Sequence, residues 1–167
     1  MTLWLFQVNR SLTATVTICF NSFHLWNHDV ANYSYAGGHT LGFSHCSSFQ
    51  SRIRNFNATH DIDPSMHPSF AASLRSVCPK SNRAKNAGTT MDPSSTTFDN
   101  TYFKSILQKR GLFSSDQSLL STPKTKDLVT KFASSKANFN KAFVSSMIKM
   151  SSITGGQEVR KDCRVVN

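Results

Sequence analysis

Apolar residues recur at helical spacing along most of the chain from residue 36 onward. In the interval 64–78, for instance, the helical spacing of the apolar residues predicts a shared face for Met66, Phe70, Leu74 and Val77. The interval 80–97 is polar and predicts an extended loop. The pattern predicts a mostly α chain, with a helix and a second short one in 36–54, and further helices in 64–78, 98–110, 114–121, from 122, and 135–150.

Local signals define several ends and faces of these helices. Gly111 is placed to stop the helix over 98–110, and Thr122 followed by Pro123 is typical of a helix start. The predicted inward side chains are Tyr102, Phe103, Ile106 and Leu107 in one helix, and Phe139, Ala142, Phe143, Met147 and Met150 in the last.

Residues 1–35 differ from the rest because they are rich in aromatics and lack a clear period. The β-branched run 13–20 could form a short strand, and 154–167 reads as an extended tail. An apolar start is broken by Asn9 and Arg10, which makes an unconvincing signal peptide. No apolar run is long enough to predict a membrane span.

The net charge of +10 falls entirely on residues 36–167, which hold eighteen bases and eight acids. The bases are spread over the helices without interleaved aromatics, so a basic solvated face is expected rather than a nucleic-acid site. The same charge could hold the protein on an acidic polysaccharide.

Four widely spaced cysteines, at positions 19, 46, 78 and 163, exclude a CxxC zinc or thioredoxin motif. Their number allows two disulfides in three connectivities. Three Asn-x-Ser/Thr sequons, at Asn9, Asn32 and Asn57, are compatible with secretion.

Two segments could carry chemistry. The run AGGHTLGFSHC (36–46) places His39 after two glycines, where a flat cofactor could approach the backbone and imidazole could bind haem iron. The alternatives are a hydrogen-bonded structural histidine or, with His45 and Cys46, a zinc site of unusual spacing. In 92–100, Asp92 and Asp99 flank hydroxyl residues that could bind calcium, although a turn and a helix cap explain the same residues.

A third segment, 114–117, holds Asp116 in a Ser-rich turn. It reads as a helix cap unless the carboxylate meets a histidine, whose tautomer it would then fix.

Residues 36–167 resemble the C-terminal half of the secretory plant haem peroxidases of class III. The runs AGGHTLGFSHC, MDPSSTTFDNTYF (91–103), LFSSDQSLL (112–120) and VRKDCRVVN (159–167) occur in the order of that family. The resemblance implies a domain made of the proximal half of the helical haem-peroxidase fold over 36–167, preceded by an unrelated segment over 1–35.

The resemblance also implies roles for individual residues. His39 would be the axial ligand of haem b iron, and Asp116 the carboxylate behind it. Cys46 and Cys78 would form a disulfide, and Cys163 would lack its partner. Independently of the resemblance, the sequon at Asn57 predicts glycosylation there. The implied calcium ligands are Thr40, Asp92, Ser95, Thr97 (through its carbonyl) and Asp99.

One departure from the family bears on activity. The distal motif Arg-Leu-x-Phe-His-Asp-Cys, whose histidine and arginine act on peroxide, is absent from residues 1–35. His24 and His28 lack the Arg and Cys at the right offsets and receive no distal role. We therefore expect a truncated chain without a distal half, and peroxide cleavage slowed by about 10²–10⁴ per missing catalytic group.

Two functional hypotheses follow. The first is a monomeric haem peroxidase that uses hydrogen peroxide to oxidise phenolic donors in the cell wall, without membrane or nucleic-acid partners. The second is a secreted basic glycoprotein, or pseudo-peroxidase fragment, that keeps the proximal haem and calcium residues without turnover.

Overall fold

A computed structural model of the chain describes residues 31–80 and 86–151. The mostly α prediction is confirmed for these residues, where two short strands are the only β structure. The helices are α1 (Ala31–Ser34), α2 (Gln50–Ile53), α3 (Pro68–Val77), α4 (Thr101–Leu107), α5 (Ser114–Ser118), α6 (Pro123–Ser134) and α7 (Lys136–Ser151), the strands are β1 (Phe43–His45) and β2 (Gly88–Thr90), and 3-10 turns cover Tyr35–Thr40 and Cys46–Ser48.

The interval 36–54 is not the helix that its apolar spacing predicts. The backbone of Gly42 takes a φ of 99°, which ends the first turn and leads into β1. β1 then pairs antiparallel with β2, so that Ser44 lies opposite Thr89 and His45 opposite Gly88. The predicted loop over 80–97 therefore contains the partner strand of a small ribbon.

Two hydrophobic clusters form the core of the described residues. The disulfide cluster lies around α2 and α3, and the aromatic cluster is built by α4, α6 and α7. The buried members of the disulfide cluster are Cys46, Phe49, Ile53, Met66, Ala71, Leu74, Cys78, Leu112 and Phe113. Those of the aromatic cluster are Tyr102, Phe103, Ile106, Leu128, Val129, Phe132, Ala133 and Phe139.

Helix starts follow their local signals more closely than helix ends. The Thr122 hydroxyl accepts from the Thr125 N–H and Pro123 occupies the first turn of α6, as predicted. α4 instead ends at Leu107, and Lys109 rather than Gly111 takes the left-handed conformation, at φ 58°.

Three side chains that the apolar spacing places on inward faces are exposed. Val77 is 49% exposed at the end of α3, Leu107 is 39% exposed at the end of α4, and Met147 is 37% exposed on α7. The buried position beside Met147 belongs to Ser146, whose hydroxyl lies 2.7 Å from that of Ser34. The polar contact with α1, rather than the apolar period, therefore decides which face of α7 turns inward here.

The described end of the N-terminal segment packs against the rest of the chain. Tyr33 lies on the aromatic cluster, and α1 runs directly into the turn Tyr35–Thr40. The predicted boundary at residue 36 thus falls inside continuous structure, while the domain assignment itself stays a prediction. The predictions for 13–20, 154–167, Cys19 and Cys163 lie outside the described residues. No helix within 31–80 or 86–151 combines the length and apolarity needed to cross a membrane.

Candidate functional site

His39 lies near the end of the 3-10 turn Tyr35–Thr40, which is packed against α4 and α7. Gly37 makes this packing possible, because an added Cβ would lie 2.3 Å from Cε2 of Phe139 and 2.9 Å from Cε2 of Phe103. At Gly38 an added Cβ would meet only ordinary contact, with Phe143 at 3.9 Å. The space beside Gly37 is therefore filled by the protein's own aromatic rings, whereas the sequence interpretation reserved the glycine pair for a flat cofactor.

The His39 imidazole is held by a carboxylate that lies 77 positions further along the chain. Its Nδ1 lies 2.8 Å from Oδ1 of Asp116 in α5. The side chain of Asp116 is 3% exposed and that of His39 is 14% exposed. Because the carboxylate accepts, Nδ1–H is the donor, and in the neutral ring this tautomer leaves the lone pair on Nε2.

Asp116 accepts two further hydrogen bonds. The backbone N–H of Phe113 donates to Oδ2 at 2.8 Å, and the Tyr102 hydroxyl donates to Oδ1 at 3.0 Å. The spacing of Phe113 and Asp116 is that of a helix start and could have been read from the sequence. The Tyr102 contact was missed, because this residue looks like any other apolar position of α4.

The ring of His39 also makes two edge-on aromatic contacts. Tyr102 lies edge-on at 5.7 Å between ring centroids, and Phe113 at 5.3 Å. Tyr102 belongs to the aromatic cluster and Phe113 to the disulfide cluster. His39 therefore lies at the junction of the two clusters.

A second group of oxygen atoms begins at the next residue, Thr40. Its hydroxyl donates to Oδ2 of Asp92 at 2.7 Å and lies 3.3 Å from Oδ1 of Asp99. The Ser94 hydroxyl donates to Oδ1 of Asp99 at 2.9 Å and lies 3.1 Å from Oδ1 of Asp92. The two carboxylates thus share two hydroxyl groups, which gives a cluster of hard oxygen donors.

The two carboxylates of this oxygen cluster differ in their electrostatics. Burial raises the pKa of Asp92, against the hydrogen bonds from Thr40 and Ser94, and the charge of Asp99 adds to the increase. For Asp99, burial acts in the same direction, but hydrogen bonds from Thr101, Ser94 and Thr40 outweigh it and lower the pKa. A divalent cation between the two groups would relieve the repulsion that Asp92 experiences.

The other two implied calcium ligands are placed differently. Ser95 uses its carbonyl to accept from the N–H of Gly42 at 2.9 Å, and the hydroxyl that joins the carboxylates is that of Ser94. Thr97 is exposed, and its N–H donates to the carbonyl of Ser94. Within 31–80 and 86–151, no three His, Cys, Asp or Glu side chains gather as a metal-binding group, so any cation here would depend on hydroxyl and carbonyl oxygens.

Two covalent modifications are predicted for the described residues, a disulfide and a glycosylated asparagine. Cys46 and Cys78 are joined by a disulfide, as the family resemblance implies. Asn57 is exposed in a turn, where its side-chain oxygen accepts from the N–H and hydroxyl groups of Thr59 and from the N–H of His60.

The donor set around His39 fits the proximal side of a haem. An imidazole with its Nδ1–H on a buried carboxylate is a strong and oriented nitrogen donor. The residue before it, Gly38, adds no side chain beside the ring. His39 would therefore hold the iron through Nε2, with Asp116 behind it.

Comparison with known proteins gives similarity to one family. A family model described as Peroxidase matches residues 8–135. Peroxidase 64 of Arabidopsis thaliana is 57% identical over 140 residues, which cover 83% of this chain and 44% of that protein. Peroxidase 66 of the same plant is 50% identical over 137 residues, 79% of this chain and 42% of that protein.

The match extends into the segment for which the motifs gave no resemblance. The family model begins at residue 8, and Peroxidase 49 of Arabidopsis thaliana is 37% identical in an alignment that covers 96% of this chain and 51% of that protein. The chain spans about half the length of the curated relatives it matches.

Proposed function

The chain belongs to the peroxidase family and is related to the class III peroxidases of plants, and on this premise we propose that residues 36–167 supply the proximal side of a haem site for hydrogen-peroxide-dependent oxidation. The observation that carries the proposal is the 2.8 Å contact between His39 Nδ1 and the buried carboxylate of Asp116. A histidine with a purely structural role does not need a buried carboxylate that is itself held by further hydrogen bonds, as Asp116 is here.

Haem, when bound, supplies an iron centre that exchanges electrons with peroxide and organic donors. The chain's own contribution is to position and polarise one ligand. Asp116 accepts a hydrogen bond from Nδ1–H of His39, which fixes the tautomer and makes Nε2 more electron-rich. The N–H of Phe113 fixes the carboxylate in turn.

Calcium is proposed as the second cofactor, bound by Thr40, Asp92 and Asp99. The contacts of the Ser94 hydroxyl with both carboxylates support Ser94 as a ligand in the place that the sequence analysis gave to Ser95. The carbonyl of Thr97 stays a proposed ligand. Because Thr40 follows His39 directly, a cation held here would restrain the turn that carries the haem ligand.

The proposed substrates are hydrogen peroxide and small phenolic donors, and the proposed setting is the cell wall, with the protein secreted as a monomer. Family membership supports the reaction class.

Haem titration of the purified chain, followed by absorption in the Soret region, tests the proposal. His39→Ala should abolish the Soret band of the bound form and the peroxide-dependent oxidation of guaiacol. The matched control is His45→Ala, which removes an exposed imidazole six residues away. Equal haem binding by the His39 variant, the control and the unmodified chain would refute the proposal.

A basic surface supports an additional proposal, retention on acidic polysaccharide. α6 and α7 carry six exposed lysines and one acid, Asp127. The lysines are Lys124, Lys126, Lys131, Lys136, Lys141 and Lys149. An excess of one sign on two adjacent helices attracts polyanions at a distance of about one Debye length, roughly 8 Å at physiological ionic strength.

Chromatography on polygalacturonate at physiological salt tests this retention. Reversing Lys131 and Lys136 to Glu should release the protein at lower salt. Reversing Lys109 and Arg110 to Glu is the control, with the same change in net charge beyond the end of α4. If both double variants elute together, net charge alone explains the binding and the assignment to α6 and α7 is wrong.

A further inference from the structure

Tyr102 shares with His39 the same oxygen atom of Asp116. The phenolic oxygen lies 3.0 Å from Oδ1, and Nδ1 of His39 lies 2.8 Å from that atom. With the N–H of Phe113 on Oδ2, the carboxylate accepts three hydrogen bonds, of which the imidazole supplies one. The strength of the His39–Asp116 contact therefore depends on the other two donors.

The environment of Tyr102 keeps its hydroxyl in the donor role. The residue is 3% exposed, and its ring packs at 5.0 Å from that of Phe103 and at 5.7 Å from that of His39. Its hydroxyl lies 3.0 Å from Asp116 Oδ1, and because a carboxylate oxygen can only accept, the phenol is the donor of this hydrogen bond.

A second donor on Oδ1 weakens the pull of Asp116 on the imidazole. Each hydrogen bond that a carboxylate accepts stabilises its negative charge and lowers its power to attract another proton. The Nδ1 proton of His39 then stays closer to the nitrogen, and the ring has less imidazolate character. The basicity of an axial ligand is one of the means by which a protein sets the potential of haem iron.

We propose that Tyr102 is a positioning residue that limits the imidazolate character of His39 by sharing Asp116 Oδ1. The proposal rests on the proposed function in so far as His39 binds haem. Its core, the competition of two donors for one oxygen, holds in the haem-free chain as well.

Tyr102→Phe tests the competition and keeps the ring that packs against Phe103 and His39. In the haem-free chain, nuclear magnetic resonance should show the Nδ1–H proton of His39 shifted downfield and exchanging more slowly with water. In the haem-loaded chain, resonance Raman of the ferrous form should show a higher iron–histidine stretching frequency, and the Fe(III)/Fe(II) midpoint potential should fall.

Two further variants serve as controls, one for the direction of the spectroscopic shifts and one for the effect of packing. Asp116→Asn, which puts a weaker acceptor behind His39, should shift each readout the opposite way. Phe103→Leu disturbs the same cluster without touching a hydrogen bond, so it should reduce stability and leave the proton shift, the stretching frequency and the potential unchanged.

The outcomes distinguish failure of the proposed haem function from failure of the proposed role of Tyr102. If the unmodified chain binds no haem through His39, the proposed function fails, and the Nδ1–H resonance alone decides the role of Tyr102. Three results for Tyr102→Phe would overturn the positioning role. The Nδ1–H resonance could stay in place, move in the same direction as in Asp116→Asn, or move no further than in Phe103→Leu.

Discussion

At the scale of single residues, Gly37 is needed to position His39, the candidate haem ligand, although Gly37 itself has no proposed role in binding. We expect Gly37→Ala to reduce the free energy of unfolding by about 1–3 kcal/mol, because the new methyl group overlaps the rings of Phe139 and Phe103. Denaturant unfolding measures this change. The control is Gly38→Ala, whose methyl group meets only Phe143 at 3.9 Å and should change stability much less; equal effects would contradict the packing argument.

A buried ion pair supports the disulfide cluster. Nε of Arg52 donates to Asp63 at 2.8 Å, and Nη1 donates to the carbonyls of Gly111 and Leu112. Both side chains are nearly inaccessible, at 2% and 7% exposed. Arg52 thereby connects α2 with the segment that leads to Asp116, an arrangement that no local pattern in the sequence indicates.

The ion pair predicts a loss of stability in acid. Burial acts to raise the pKa of Asp63, but hydrogen bonds from Ser65 and Arg52 outweigh it, and the pKa lies below its ordinary value of 3.8. The carboxylate therefore stabilises the folded chain above about pH 3.8, and this contribution is lost as the pH falls through the lower pKa of the folded state.

Replacing the carboxylate removes this pH dependence. Asp63→Asn should reduce the free energy of unfolding at neutral pH by about 3 kcal/mol, since it leaves the Arg52 charge buried without its partner. The difference from the unmodified chain should narrow below pH 4. Urea titrations over a pH series measure both effects, with the exposed Asp127→Asn as control; a difference that persists unchanged in acid would contradict the prediction.

At the scale of elements, the sequence predicts best what depends on neighbours in the chain. The cap at Thr122 and Pro123 lies within one turn of the helix it starts, and α6 begins where this signal predicts. β1 does not depend on its neighbours in the chain, because it becomes a strand only by pairing with Gly88–Thr90, more than 40 positions further along. Its apolar residues at helical spacing therefore predicted the wrong element.

In the candidate site, too, the contacts between residues far apart in the chain could not be predicted from local patterns. His39 and Asp116 are 77 positions apart, so their meeting follows from resemblance to a family and from no local pattern. Ser94 and Ser95 are adjacent and chemically identical, and only the backbone of the loop decides which hydroxyl joins Asp92 and Asp99. Tyr102 gave no signal, since a buried tyrosine on an apolar helix face is usually a packing residue.

Calcium bound at the oxygen cluster should stabilise the fold, because Asp99 also accepts from the N–H of Thr101 at the start of α4, at 2.8 Å. At a calcium concentration 100 times its dissociation constant, the free energy of unfolding should rise by about 2.7 kcal/mol. Asp92→Asn should remove most of this response, because a buried carboxylate is lost from the site. The control is the exposed Asp61→Asn, which should respond as the unmodified chain does; thermal melts with calcium and with chelator measure it, and an undiminished response of the Asp92 variant would exclude the site.

At the scale of the molecule, the disulfide closes a loop that contains α2 and α3. Cys46 and Cys78 are 32 positions apart, and a loop of this size predicts a loss of about 3–4 kcal/mol when the bond is removed. The double replacement of both cysteines by Ala should show this loss in denaturant unfolding. Reduction of the unmodified chain by dithiothreitol should give a similar loss; a double variant as stable as the oxidised chain would contradict the prediction.

The place of His39 between Tyr102 and Phe113 has a consequence for how the chain would lose haem on warming. One neighbour belongs to each cluster, so partial melting of either cluster would remove one wall of the imidazole and loosen the iron–nitrogen bond. The temperature of cofactor release would then follow the weaker of the two clusters. Strengthening only the more stable cluster would leave the temperature of haem release unchanged, whereas strengthening the weaker one would raise it until the other cluster became limiting.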